Sequence, residues 1–430
     1  MSEPAGEPAT EPAAGPAPLR AARLAPVGAA LVLAAALAVV IIATTPWHLI
    51  DLPKPDAALD FSTAEIDRQQ QFREELLPWS TTSWILSLLV PLAIGFSPLG
   101  RRLYAVTRTR RWYLAVPVVV LALGLLVSLV TLPTDILAER VTQKYGLSTE
   151  PWSLWLRDRL TNWLLMSLAL VAISLGLVAL AKRWRTWWWA PAAIGAGVLV
   201  LGVSFAYPVL VEPRFNEFTS MQAGPQRNDF MELARQDGIP VKDVLVADAS
   251  KRTTALNAYV SGFGSTRRLV VYDTLLKDAS PARVRLVVAH ELGHAAERDV
   301  LHGTLIGALG SAFAVVLLRL LLGARMADPR NTALLLALIV AATTLASPVQ
   351  NLVSRKIEAR ADYSSLRLTE DPSDFVEMQH QLSVRNISGL EPSRWRYWMF
   401  ASHPTPPERI AMGRAWAAEH GKTVPPLVQK

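Results

Sequence analysis

Apolar residues in this chain fall in long unbroken runs rather than at a helical or strand period. The first run covers residues 24–44, and comparable ones lie at 79–97, 112–132, 163–181, 187–211, 301–322 and 332–352. About 20 apolar residues rising 1.5 Å each cross a hydrocarbon layer of about 30 Å. The pattern therefore predicts about seven transmembrane helices. The first run has the character of a signal-peptide core, but it reaches full spanning length and similar runs follow it, so it reads as a retained helix. Trp79, Trp112 and Trp187 to Trp189 stand at run ends, where an interfacial aromatic belt lies. Pro91, Pro117 and Pro348 fall inside runs, which membrane helices tolerate when neighbours satisfy the freed carbonyls.

Two polar segments, 212–300 and 353–430, flank the last pair of runs. The first holds a helix pattern at 227–236, a strand pattern in "VKDVLVAD", a hairpin pattern in "NAYVSGFGSTRRLVVYD" and a helix opening at Ser280-Pro281. Residues 1–19 repeat Pro, Ala and Glu and predict a disordered tail. The composition agrees with a membrane protein: 51% of residues are hydrophobic and 18% charged, with a mean hydropathy of +0.26. The absence of cysteine excludes disulfides and thiolate-bound zinc, leaving His and carboxylates as the strong metal ligands. A net charge of +7 could attract nucleic acid, but the cations gather in short loops without a recognition pattern, so the bilayer is the expected partner and nucleic acid is not.

Within the last helix of the first polar segment stands "HELGH". His290 and His294 are four residues apart, about 40° around a helix and one turn along it, so both can reach one ion. Glu291 is placed to address a water on that ion. Zinc with three protein ligands keeps a fourth position for water, and a neighbouring carboxylate accepts the proton during attack on a carbonyl. A third ligand is needed, and "SRKIEARAD" offers Glu358, with Asp362 one turn on. A membrane hairpin, 301–352, separates the two segments and returns the chain to the same face at matched depth. Asp362 could accept the free ring N–H of a ligand histidine or pair with Arg355 or Arg360; Asp299 has similar alternatives.

These residues, with "KYGLST" at 144–149, "EPRFNEF" at 212–218, "KRTTALNAYVSGFGSTRRLVVYDTLL" at 251–276 and "SHPTPPERI" at 402–410, resemble the type I CAAX prenyl proteases, integral-membrane zinc metallopeptidases, and their bacterial relatives. The stretch "HAAERDVLHG" is closest in character to the bacterial stress-type membrane zinc proteases. The resemblance implies one zinc ion on His290, His294 and Glu358, with Glu291 as general base. It implies that Asn257, Ala258 and Tyr259 form an edge strand to which the substrate adds, that His403 lies by the metal and can steady an oxyanion, and that Arg409 holds a carboxylate near it. It also implies a chamber enclosed by the seven helices. His48, His302, His380 and His420 match none of its motifs.

The expected fold is an α-helical polytopic membrane protein with a small α+β, gluzincin-like zinc-metallopeptidase domain. Its expected parts are the tail 1–19, five membrane helices in 20–211, a catalytic part in 212–300 with the edge strand and the pentad helix, the hairpin 301–352, and a third-ligand part in 353–430. The pentad helix is expected to run on into the sixth span. The expected function is membrane-embedded zinc endopeptidase. A quality-control protease without prenyl specificity is the alternative, and a transporter or receptor with a structural zinc site is the alternative from another class. Loop charge bears on orientation: residues 101–111 hold five Arg and no acid, whereas 51–75 hold seven acids against three bases. The positive-inside rule then puts the amino terminus in the cytoplasm and the catalytic part outside it, although the resemblance implies a cytosolic site.

Overall fold

The computed structural model describes residues 17–262 and 267–428, with only the backbone for residues 17–23. The expected tail therefore lies outside the described residues up to position 16, and the first helix, α1, already begins at Ala17 and ends at Thr44. It is followed by α2 (Thr63–Gly95), the short α3 (Pro98–Val106), α4 (Trp112–Lys144), α5 (Trp152–Arg183) and α6 (Trp189–Leu210). Then come β1 (Phe218–Ser220), α7 (Pro225–Gln236), β2 (Asp243–Ala247), β3 (Ala258–Ser261), β4 (Arg268–Tyr272), α8 (Asp273–Asp278) and α9 (Pro281–Ala296). The chain closes with α10 (Asp299–Leu322), α11 (Thr332–Thr369), α12 (Pro372–Arg385), α13 (Arg394–Phe400) and α14 (Pro406–Glu419).

Seven helices, α1, α2, α4, α5, α6, α10 and α11, are long and apolar enough to cross a membrane. Their outward faces carry large apolar side chains such as Leu31, Leu89, Leu129, Ile194, Leu321 and Leu345, a surface suited to lipid rather than water. Small residues let backbones approach: a Cβ on Gly95 of α2 would lie 2.5 Å from Ala337 of α11. Two helices run well past their apolar stretches. α2 begins sixteen residues before the expected start at Trp79, from a capping box in which Ser62 and Glu65 satisfy each other's backbone N–H groups. α11 continues from the bilayer as far as Thr369 and so carries residues of the second polar segment directly on a membrane helix.

The sheet has the order β1-β2-β4-β3, with β2 and β4 parallel and the other pairs antiparallel. Ala258 of β3, Leu269 and Val271 of β4 and Val244 of β2 share one core with Phe230, Val288, Leu292, Leu366, Phe375 and Trp416. The two polar segments therefore pack as one body around α9. The "KYGLST" loop between α4 and α5 ties this body to the membrane helices: Thr149 N donates to Arg252 O at 3.0 Å and Thr254 N to Leu147 O at 3.1 Å.

Candidate metal centre

α9 is started by Ser280, whose hydroxyl accepts from Arg283 N, with Pro281 at the first helical position. It is buried on nearly every side, from Val284 to Ala295, as a helix hydrophobic all round must be. Its partner is α11. The crossing is tight at Gly293, where a Cβ would lie 2.9 Å from Ser364 Cβ, and Ser365 Oγ donates to Leu286 O at 2.8 Å.

This crossing brings His290, His294 and Glu358 together, with one ligand atom from each within 4.8 Å of the others. His290 Nε2 lies 3.3 Å from Glu358 Oε2, and His294 Nε2 lies 3.6 Å from Glu358 Oε1. The opposite ring nitrogens are already engaged: His290 Nδ1 with Asp362 at 3.0 Å and His294 Nδ1 with Asp299 at 2.9 Å. That arrangement turns both Nε2 atoms toward the same carboxylate. Glu358 Oε2 is buried with no hydrogen-bond partner. Two imidazoles and an orphaned carboxylate, with no thiolate, form a donor set that suits zinc.

Of the alternatives open for Asp362, the structure realises the histidine and an arginine that is neither Arg355 nor Arg360. Arg409, half-buried near the start of α14, donates to it through Nε at 2.7 Å and Nη2 at 2.5 Å, and Gln379 adds a bond at 3.3 Å. Arg360 instead grips Asp299, the partner of His294. His403 Nε2 stands 3.2 Å from Glu358 Oε2, with Nδ1 2.9 Å from Ser402 Oγ. Glu291 is held among these groups, and burial pushes its carboxyl above the usual carboxylate range. Glu291, His294 and Glu358 line one end of a cavity of about 1630 Å³, which also touches Val260 of β3. Asn257 precedes β3, Ala258 is buried against the α9 core, and Tyr259 points to the other face, edge-on to Tyr272.

One expectation is corrected by the geometry. The pentad helix does not run on into the sixth span: α9 ends at Ala296, Arg298 takes a left-handed φ of 56°, and α10 starts anew at Asp299. The break is what lets Asp299 fold back onto His294. The cavity beside the pentad is lined by α1, α5, α6, α10 and α11. Arg360, offered by the sequence as a partner for either aspartate, pairs with Asp299, whereas sequence reasoning missed Gln379, whose role depends on helix packing that no local spacing announces.

Residues 223–417 match peptidase family M48, and residues 51–217 match the CAAX prenyl protease amino-terminal region of five membrane helices. The chain belongs to the M48 peptidases. Within 51–217 this M48 member has five helices, α2 to α6, of which α3, with nine residues, is too short to span. Its relatives include an uncharacterised metalloprotease, YhfN, of Bacillus subtilis, 29% identical over 303 residues, which is 68% of this chain and 71% of that one. A CAAX prenyl protease 1 homologue of Arabidopsis thaliana is 31% identical over 246 residues, 53% of this chain and 55% of that one. The crystal structure of Ste24p from S. mikatae shares the fold with a TM-score of 0.71, covering 91% of this chain and 98% of that one at 19% identity. The M48 chain is thus a multi-pass membrane metalloendopeptidase. Membership decides against the transporter or receptor reading, as does a donor set of three residues where a structural zinc site is closed by four.

Proposed function

We propose that the chain hydrolyses peptide bonds using one zinc ion held by His290, His294 and Glu358. The observation that carries this reading is the convergence of two Nε2 atoms on a carboxylate with an orphaned oxygen, both Nδ1 atoms being engaged elsewhere. Bound zinc supplies a Lewis acid and lowers the pKa of water to about 7. Glu291 takes a proton from the attacking water and gives it to the leaving amine, a role helped by a carboxyl raised toward the working pH. His403 donates to the carbonyl oxygen as charge develops there. Asp362, clamped by Arg409, and Asp299, clamped by Arg360, fix the tautomer and orientation of the two ligand rings.

Substrate binds in extended form along β3, from Asn257 to Tyr259. Main-chain groups of an added strand pair with an edge whatever the side chains, so the strand aligns a scissile bond with little sequence demand. Two features support this: β3 is at the edge of the sheet, and Val260 lines the same cavity as Glu291. The apolar walls of the cavity suit a substrate that brings an apolar segment with it, which favours membrane-protein segments without a required prenyl group. Residues 212–300 and 353–430 form the catalytic part, and we place it outside the cytoplasm on the charge of the loops.

Replacing Glu291 with Gln tests the mechanism. The variant is expected to hold one equivalent of zinc and to lose about a thousandfold in cleavage of labelled casein, the middle of the range for general-base catalysis. Undiminished cleavage by that variant sinks the assignment of Glu291.

A further inference from the structure

α13, "RWRYWMF", lies in the seam between α2 and α11, just before the "SHP" turn. Against α2, Arg396 Nη1 donates to Thr81 Oγ1 at 3.0 Å, and Phe400 meets Trp84 edge-on at 5.3 Å. Against α11, Asn351 Nδ2 donates to Met399 O at 2.6 Å, and Arg355 Nη1 donates to Tyr397 O at 3.0 Å and Ala401 O at 2.6 Å. These contacts fix its height. On α2 they fall where the polar start of the helix gives way to the apolar run at Trp79, and on α11 where the apolar run gives way to Arg355 and Lys356. Both neighbours thus put α13 at the edge of the hydrocarbon, on the side of the metal centre.

At that height its exposed side chains are the wrong ones for water. Trp395, Trp398 and Phe400 are 50%, 66% and 40% exposed. Trp at the headgroup level is where an amphipathic ring is most stable. Beside them lie two half-buried guanidinium groups, Arg396 and Arg73 of α2. Arg396 reaches Thr81, eight residues beyond Arg73 on α2, with its guanidinium 5.2 Å and 5.3 Å from the ring centroids of Trp395 and Phe400, and burial first, then Arg73, hold its pKa below its usual value. Among the described residues neither has a carboxylate within ion-pair distance. Two cations on neighbouring elements at an interface, neither facing a carboxylate, suit an anion, and a fork of N–H donors matches phosphate.

We propose that α13 is an interfacial helix, and that Arg73 and Arg396 together hold the phosphate of an anionic phospholipid whose acyl chains lie along the exposed Trp face. The site is coupled to the metal centre by covalent connection: α13 ends at Phe400, and His403 stands against Glu358. Arg355, three residues before Glu358 on α11, holds the carboxyl end of α13. Lipid that seats α13 therefore seats His403, and anionic lipid raises turnover.

The chain has no cysteine, so Trp398→Cys gives a single site for an environment-sensitive label in the full-length protein. In phosphatidylcholine vesicles the label is expected to be quenched by brominated acyl chains and shielded from iodide. Adding phosphatidylglycerol is expected to shift its emission and, in the unlabelled protein, to raise casein cleavage. Near an anionic surface each arginine is worth about fivefold in lipid affinity, so Arg73→Gln with Arg396→Gln needs on the order of twentyfold more phosphatidylglycerol for the same shift. The response of each variant is read relative to its own activity in detergent, and Arg396→Lys falls between the two. A label open to iodide, or an equal phosphatidylglycerol response in the double variant, overturns the proposal; inorganic phosphate replacing the lipid overturns the choice of a lipid. The label reads binding without hydrolysis, so failure of the peptidase mechanism would leave this result standing.

Discussion

Gly293, between the two histidines, sets how closely α9 approaches α11. A methyl group there meets Ser364 Cβ at 2.9 Å and Ala361 Cα at 3.4 Å, atoms that cannot swing away because they belong to the backbone or the first side-chain carbon. Gly293→Ala must therefore push the helices apart, at a cost of about 1–3 kcal/mol for overpacking. His294 moves with α9 and Glu358 with α11, so the variant is expected to unfold at lower temperature in detergent and to copurify with less zinc. Normal zinc content and an unchanged midpoint would show that the crossing has slack. At this scale the sequence was informative where chemistry has a local spacing. His290 and His294 follow from an i, i+4 pair, and Glu358 from a hairpin that returns the chain to matched depth. The alternatives for Asp362 could not be separated, because its partner Arg409 is forty-seven residues away and reaches it only once α14 has packed on α12.

Element boundaries show what hydropathy can and cannot see. It finds the part of a helix that lies in lipid, so α2 seemed to start at Trp79, although Ser62 and Glu65 carry the capping-box spacing that marks the true start. It cannot see a left-handed residue between two helices, and the chain around Arg298 reads as continuous. Without that break Asp299 would continue the axis of α9, away from His294. With it, Asp299 is both the first residue of α10 and the acceptor for His294 Nδ1, backed by Arg360. Asp299→Ala is expected to lower zinc affinity by about 10–100-fold, the usual effect of losing such an orienting carboxylate. Competition with a chelator of known affinity measures it. An affinity equal to that of the parent protein would mean that the break serves packing alone.

At the scale of the whole molecule the open matter is which way the centre faces, and the fold makes it a matter of charge. Seven spans put the amino end of α1 and the metal centre on opposite sides. The side away from the centre carries Arg101 and Arg102 of α3 with Arg108, Arg110 and Arg111 between α3 and α4, then Lys182 and Arg183 at the end of α5 with Arg185 before α6, then Arg325 and Arg330 between α10 and α11. The near side is mixed, with Asp51, Asp56 and Asp60 leading into α2 and ion pairs such as Lys144–Glu75 neutralising what cations it has. Lys and Arg in short loops are retained in the cytoplasm, and this bias is carried here by three separate loops. A phosphatase that folds only outside the cytoplasm, fused after Lys430, is therefore expected to be active, and a fluorescent protein that matures only inside to be dark at the same position. The reverse pair of signals would place the centre in the cytoplasm and leave the arginine loops outside, against their charge. The answer also selects the substrate. An outward centre can reach only segments already translocated, and an apolar cavity lined by α1, α5, α6, α10 and α11 would then receive them from the outer half of the bilayer.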